Sequence, residues 1–177
     1  MGDRVGRARL AGSAHRGCFG TMAQYCTILC PADEPGRMVA LVKDLVGDRG
    51  VIVVEGDDAN WSSIAIAADH TSLVLNRSVF ERPGDQFARL QGGMWSFFNR
   101  VETPHVAIKA DVLEKVDGIA LAIGVVAEPK FDEEAGHFDC IFGLAAELGA
   151  IVWNGNGVLD AEGSMILDGD GNSEVAS

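Results

Sequence analysis

The chain has 177 residues, 47% of them hydrophobic, and carries 14 Lys and Arg against 26 Asp and Glu, a formal net charge of −12. That length is one domain's worth and buries a core without disulfide or metal staples, while the hydrophobic content excludes wholesale disorder. The charge excludes docking on nucleic acid or on an anionic membrane surface, and no apolar run reaches the ~18 residues of a membrane span.

The charge is unevenly spread. Residues 1–21 hold Arg4, Arg7, Arg9 and Arg16 against Asp3 alone, whereas from Glu128 onward Lys130 is the single base among eleven acids. The opening segment lacks the apolar stretch of roughly 7–15 residues that a secretory signal needs. Met22 then begins Met-Ala-Gln-Tyr-Cys-Thr-Ile-Leu-Cys, a clean entry to a first strand. Residues 1–21 are therefore expected to be a disordered extension that packs on nothing, read from a start upstream of the true one. Residues 22–170 are expected to form a single α+β domain, with 171–177 a frayed tail.

Tyr25–Cys30 is a short apolar run that stops at Pro31, hence a strand. Asp33, Glu34 and Pro35 suit a helix start, and Met38, Val39, Leu41, Val42, Leu45 and Val46 recur at helical spacing up to Gly47. Val51–Glu55, Trp61–Ala67 and Ser72–Asn76 read as strands. Phe87, Leu90, Met94, Phe97, Phe98 and Val101 form the clearest amphipathic helix in the chain. Gly92 and Gly93 inside it cost about 1 kcal/mol each relative to Ala, which suggests close packing against a neighbour. Pro104 opens a third helix, with Ile108, Val112, Val116 and Ile119 inward. Ala120–Ala127 is a strand. Asp132, Glu133 and Glu134 place acids at the start of a fourth helix, whose stripe is Phe138, Ile141, Phe142, Ala145 and Leu148. Ala150–Trp153 and a hairpin of Val158-Leu159 with Met165–Leu167 complete the elements.

The fold class is α+β: a mixed or mainly antiparallel sheet with about four helices. Tyr25–Ala67 and Ile123–Leu167 both read as βαββ units, a pattern that suggests a pseudo-repeat with helices on one face.

The densest chemistry lies between Glu128 and Cys140. Glu133 and His137 are four residues apart, hence on one helical face, and with Glu128 and Asp132 they are the candidate ligands of a divalent metal. Cys140 and His137 are the candidate nucleophile and base. Cys140 is expected to project about 150° from the Phe138/Ile141/Phe142 stripe and to be exposed, although the surrounding acids raise a thiol pKa. Cys26 and Cys30 fall on one strand, separated by roughly 13 Å, too far for a disulfide that needs Cα atoms within about 7 Å. They read as free thiols of a reducing compartment, the cytoplasm. Asp168-Gly-Asp170-Gly-Asn172-Ser-Glu174 opens like a calcium loop but has Ser173 where Gly is required and ends too soon. No glycine-rich phosphate loop or nucleophile elbow occurs.

Cys26-Thr27-Ile28-Leu29, Leu75-Asn76-Arg77, Gly93-Met94 followed by Phe97-Phe98, and Leu159-Asp160-x-x-Gly163 resemble a family of uncharacterised bacterial proteins. In some members of that family a similar module precedes a second domain of unknown function. The resemblance implies a bacterial, cytoplasmic, globular protein and brings no cofactor or catalytic residue with it.

Three functions remain open on these residues. One is a non-catalytic binding or protein-interaction module, whose partner is a second copy or a basic protein. Another is a small metal-dependent or thiol-dependent enzyme at 128–140. The third is a small-ligand binder that uses Trp61 or Trp153 as a stacking wall.

Overall fold

The computed structural model describes residues 24–175, and the expected extension of residues 1–21 lies outside them. In chain order the elements are β1 (Gln24–Cys30), α1 (Pro35–Val46), β2 (Val51–Glu55), β3 (Ser63–Ala68), β4 (Thr71–Val79), α2 (Gln86–Arg100), α3 (Val106–Asp117), β5 (Leu121–Glu128), α4 (His137–Leu148), β6 (Ile151–Trp153), β7 (Gly157–Leu159) and β8 (Met165–Asp168). The strands form one eight-stranded sheet in the order β2-β3-β4-β5-β1-β6-β7-β8. Every neighbouring pair is antiparallel. The class is α+β, as the sequence suggests.

Side chains alternate across a strand, so residue parity assigns the faces. Cys26, Ile28, Cys30, Ile64, Ile66, Leu73, Leu75, Leu121 and Ile123 point to one face and bury against Met38, Val39 and Val42 of α1 and Cys140, Ile141 and Leu144 of α4. Leu29, Ala122, Ile151, Val158 and Leu167 point to the other and pack on Phe87, Met94 and Phe98 of α2 and Val112 and Val116 of α3. Helices therefore lie on both faces rather than one. The physical reason is visible in β1 and β5: Ile28-Leu29-Cys30 and Leu121-Ala122-Ile123 are unbroken apolar runs, the mark of strands covered on both sides.

The two βαββ-like stretches are not equivalent in space. After α1 the chain enters the sheet at its edge and works inward through β2, β3 and β4. After α4 it enters beside β1 and works outward through β6, β7 and β8.

Several local features differ from expectation. A Cβ added at Gly92 or Gly93 meets no atom within 4 Å, so these glycines face open space rather than a close neighbour. Helix α4 starts at His137, later than the acidic run, because Gly136 adopts a left-handed conformation (φ 73°) that interrupts the helical path before it. The chain after Asp168 does not fray within the described residues. The Thr103 hydroxyl donates to Gly171 O at 2.6 Å, and Glu174 N–H donates to Met165 O at 2.9 Å. The Asp168 carboxylate accepts the N–H groups of Asp170 and Asn172. No helix of the described residues is long and apolar enough to cross a membrane.

Candidate functional site

Between Glu128 and α4 the chain makes a tight connection pinned at four points. The Gln24 side chain accepts Phe131 N–H at 2.7 Å. The Asp132 carboxylate accepts Ala135 N–H at 3.1 Å. His137 holds the remaining two: its Nδ1 accepts Asp132 N–H at 3.1 Å, and its Nε2 lies 3.3 Å from the Thr71 hydroxyl. A nitrogen that accepts carries no proton, so the ring is the neutral tautomer with its proton on Nε2, donated to Thr71. His137 is only 2% exposed. Burial pulls its pKa below the ordinary 6.5, against the weaker upward pull of the Asp132 charge.

Cys140 is buried, not exposed. The inward stripe of α4 is His137, Cys140, Ile141, Leu144 and Ala145, whereas Phe138 is 41% exposed and packs at the surface against Phe131 and Phe142. The true stripe is thus rotated from the one centred on Phe138. Burial pushes the Cys140 thiol up to about 12, with smaller opposing effects from Arg49 and Asp139. A thiol in that state is protonated and inert, and the nearby imidazole is already bonded at both nitrogens. Cys140 and His137 therefore form no nucleophile–base pair in this geometry. Cys26 and Cys30 are free and buried on one face of β1, as their spacing suggests, and burial also pushes each up to about 12.

The candidate metal ligands do not converge. Glu133 lies in the turn before α4, so its spacing to His137 is not a helical one, and both Glu133 and Glu128 are exposed. Among the described residues no three His, Cys, Asp or Glu side chains are grouped to hold an ion. Asp132 does face a cleft of about 610 Å³ beside the β3–β4 hairpin, together with Arg49, Asp69, His70, Thr71 and Glu134. Arg49 is engaged there already, donating to Asp139 and to Leu45 O, each at 2.6 Å. Trp61 and Trp153 are committed to packing. Trp61 is buried in the core with its indole N–H unpartnered. Trp153 sits edge-on to the rings of Phe97 and Phe98. Neither presents a stacking wall.

The feature that stands out was not singled out in the sequence. Among the described residues, helices α2 and α3 cover only part of their face of the sheet and leave the β2–β3–β4 side bare. The strand registers align Val53, Ala65, Val74, Val126 and Tyr25 in one row across five strands, a span of about 19 Å. Tyr25 is 74% exposed, Val53 61%, and Val51 in the adjoining row 68%. Glu55 and Glu128 flank the row on either side, and the strand residues on this face include no Lys or Arg. The available signal was β2 itself. Val51-Ile52-Val53-Val54 reads as a strand covered on both faces, yet the protein covers one.

No protein-family model, no curated protein and no solved structure matches this chain.

Proposed function

We propose that the chain is a non-catalytic protein-interaction module that receives a basic partner on the bare part of its sheet. The observation that carries the reading is the apolar row from Val53 to Tyr25, exposed at both ends and half-buried at Ala65, Val74 and Val126, bordered by carboxylates and, among the described strand residues, free of positive charge. Contiguous exposed apolar surface of this kind, rimmed by polar groups, is the usual mark of a docking site. A partner strand with apolar residues against the row and Lys or Arg beside Glu55 and Glu128 satisfies both features. The three buried free thiols fit a reducing compartment, and a bacterial cytoplasm is the proposed setting. An enzyme at 128–140 draws less support, because His137 and Cys140 are spent on structure there.

A synthetic peptide alternating valine and lysine tests the reading. Added to isotope-labelled protein, it is expected to shift the NMR signals of Val53, Val74 and Tyr25, with an affinity that falls as salt is raised. The absence of shifts, or equal shifts with a valine–glutamate peptide, would overturn it.

A further inference from the structure

The sheet has two edges, and the protein treats them differently. At β8 the chain returns alongside the strand: Glu174 N–H donates to Met165 O at 2.9 Å, and Met165 N–H donates to the Glu174 carboxylate at 3.0 Å. At β2 nothing among the described residues is hydrogen-bonded along the outer side. Natural sheets blunt such an edge with Lys, Pro, a bulge or a covering loop. Val51–Glu55 has neither Lys nor Pro, pairs with β3 in unbroken register, and carries its single charge at the end.

We infer that β2 is where two copies of this chain join, edge to edge and antiparallel, with Ile52 on the twofold axis. The inference rests on the reading of the chain as an interaction module and supplies a second partner, the chain itself. The strand is self-complementary in this register. Ile52 meets Ile52 of the second copy, and Val51 meets Val53 twice, on the face where both are exposed. Apolar pairs at the centre of a self-complementary register are what an isologous contact requires. The join also brings the two bare faces side by side, so the pair presents a wider apolar surface than either copy.

The contact is short. Five residues of strand span about 17 Å, which makes the interface smaller than the roughly 1,600 Å² of a standard stable complex. The pair therefore forms and separates with concentration.

Light scattering over a concentration series tests this on the full chain. The wild type is expected to move from the mass of one chain to twice that mass as concentration rises. Val51→Lys adds an edge charge at an exposed position and is expected to keep the mass of one chain throughout with an unchanged melting temperature. A wild type that stays single at every concentration overturns the inference, as does a V51K variant that doubles as readily as the wild type. A single wild-type chain whose β2 amides become protected by the valine–lysine peptide also overturns it, and assigns the edge to a basic strand. The peptide's effect on Val74 and Tyr25 is read on the wild type at a concentration where it has the mass of one chain, so failure of the docking face and failure of the dimer are distinguished.

Discussion

The Nδ1 of His137 accepts the backbone N–H of Asp132 at 3.1 Å, a bond that exists only while that nitrogen is unprotonated. The unfolded chain has no such restriction. Its histidine takes up a proton near the ordinary 6.5, while the folded one resists until lower pH. Between those two values the unfolded state binds more protons, so stability rises with pH through that window and is lost as pH falls through it. The urea midpoint is expected to be level above neutrality and to drop on acidification below about 6.5. His137→Gln should lower the midpoint at neutral pH and flatten the dependence. An unchanged slope in that variant would separate His137 from the acid sensitivity.

Burial of Cys26, Cys30 and Cys140, with thiols pushed up to about 12, predicts chemical silence. Iodoacetamide at neutral pH should leave all three unmodified in the native protein and alkylate them in urea, as mapped by peptide mass. Rapid native labelling of Cys140 would restore it as a candidate nucleophile.

Gly92 and Gly93 sit on the exposed side of α2 with open space where a Cβ would be. Their negative φ values suit any residue, so each Gly→Ala change removes a helix penalty without a clash. Each substitution is expected to stabilise the protein by about 1 kcal/mol, read as a rise in the urea midpoint at constant slope. Stabilisation by both would confirm that nothing packs there.

The C-terminal return depends on Thr103 and Gly171. Gly171 has φ +83°, and a Cβ at this position collides with Glu102 O. Thr103→Ala removes the 2.6 Å bond to Gly171 O at an expected cost of about 1 kcal/mol, and Gly171→Ala should cost more. In both variants hydrogen exchange is expected to accelerate at Met165 and Glu174, while Ile28 at the sheet centre stays protected. Equal acceleration at Ile28 would mean that the tail is not a local unit.

Periodicity carried most of the fold. The stripe from Phe87 to Val101 and the alternation of β3 and β4 were legible because burial on one side leaves a simple pattern. The two-sided cover of β1 and β5 is written in unbroken runs such as Leu121-Ala122-Ile123, yet the apparent repeat pointed to helices on one face and that sign was passed over. The phase of α4 was obscured by chemistry rather than by pattern. Hydropathy ranks Phe138 above His137 and Cys140, whereas two hydrogen bonds make the imidazole a good core residue and send the larger ring to the surface. The bare face was harder to read, since Val53 and Val74 look like core until register and helix placement show that no helix among the described residues covers them.

β1, the earliest of the described strands, ends in the middle of the finished sheet. β1 finds its neighbours only in β5 and β6, contributed by the later part of the chain, while β2, β3 and β4 can pair with one another as soon as they are made. Closing those distant contacts carries a loop-entropy cost that the local meander escapes. A growing chain therefore holds an apolar strand with two unmet edges until β5 and β6 have been made. During that interval β1, rather than the bare face of the finished sheet, is the described segment most in need of shelter from aggregation.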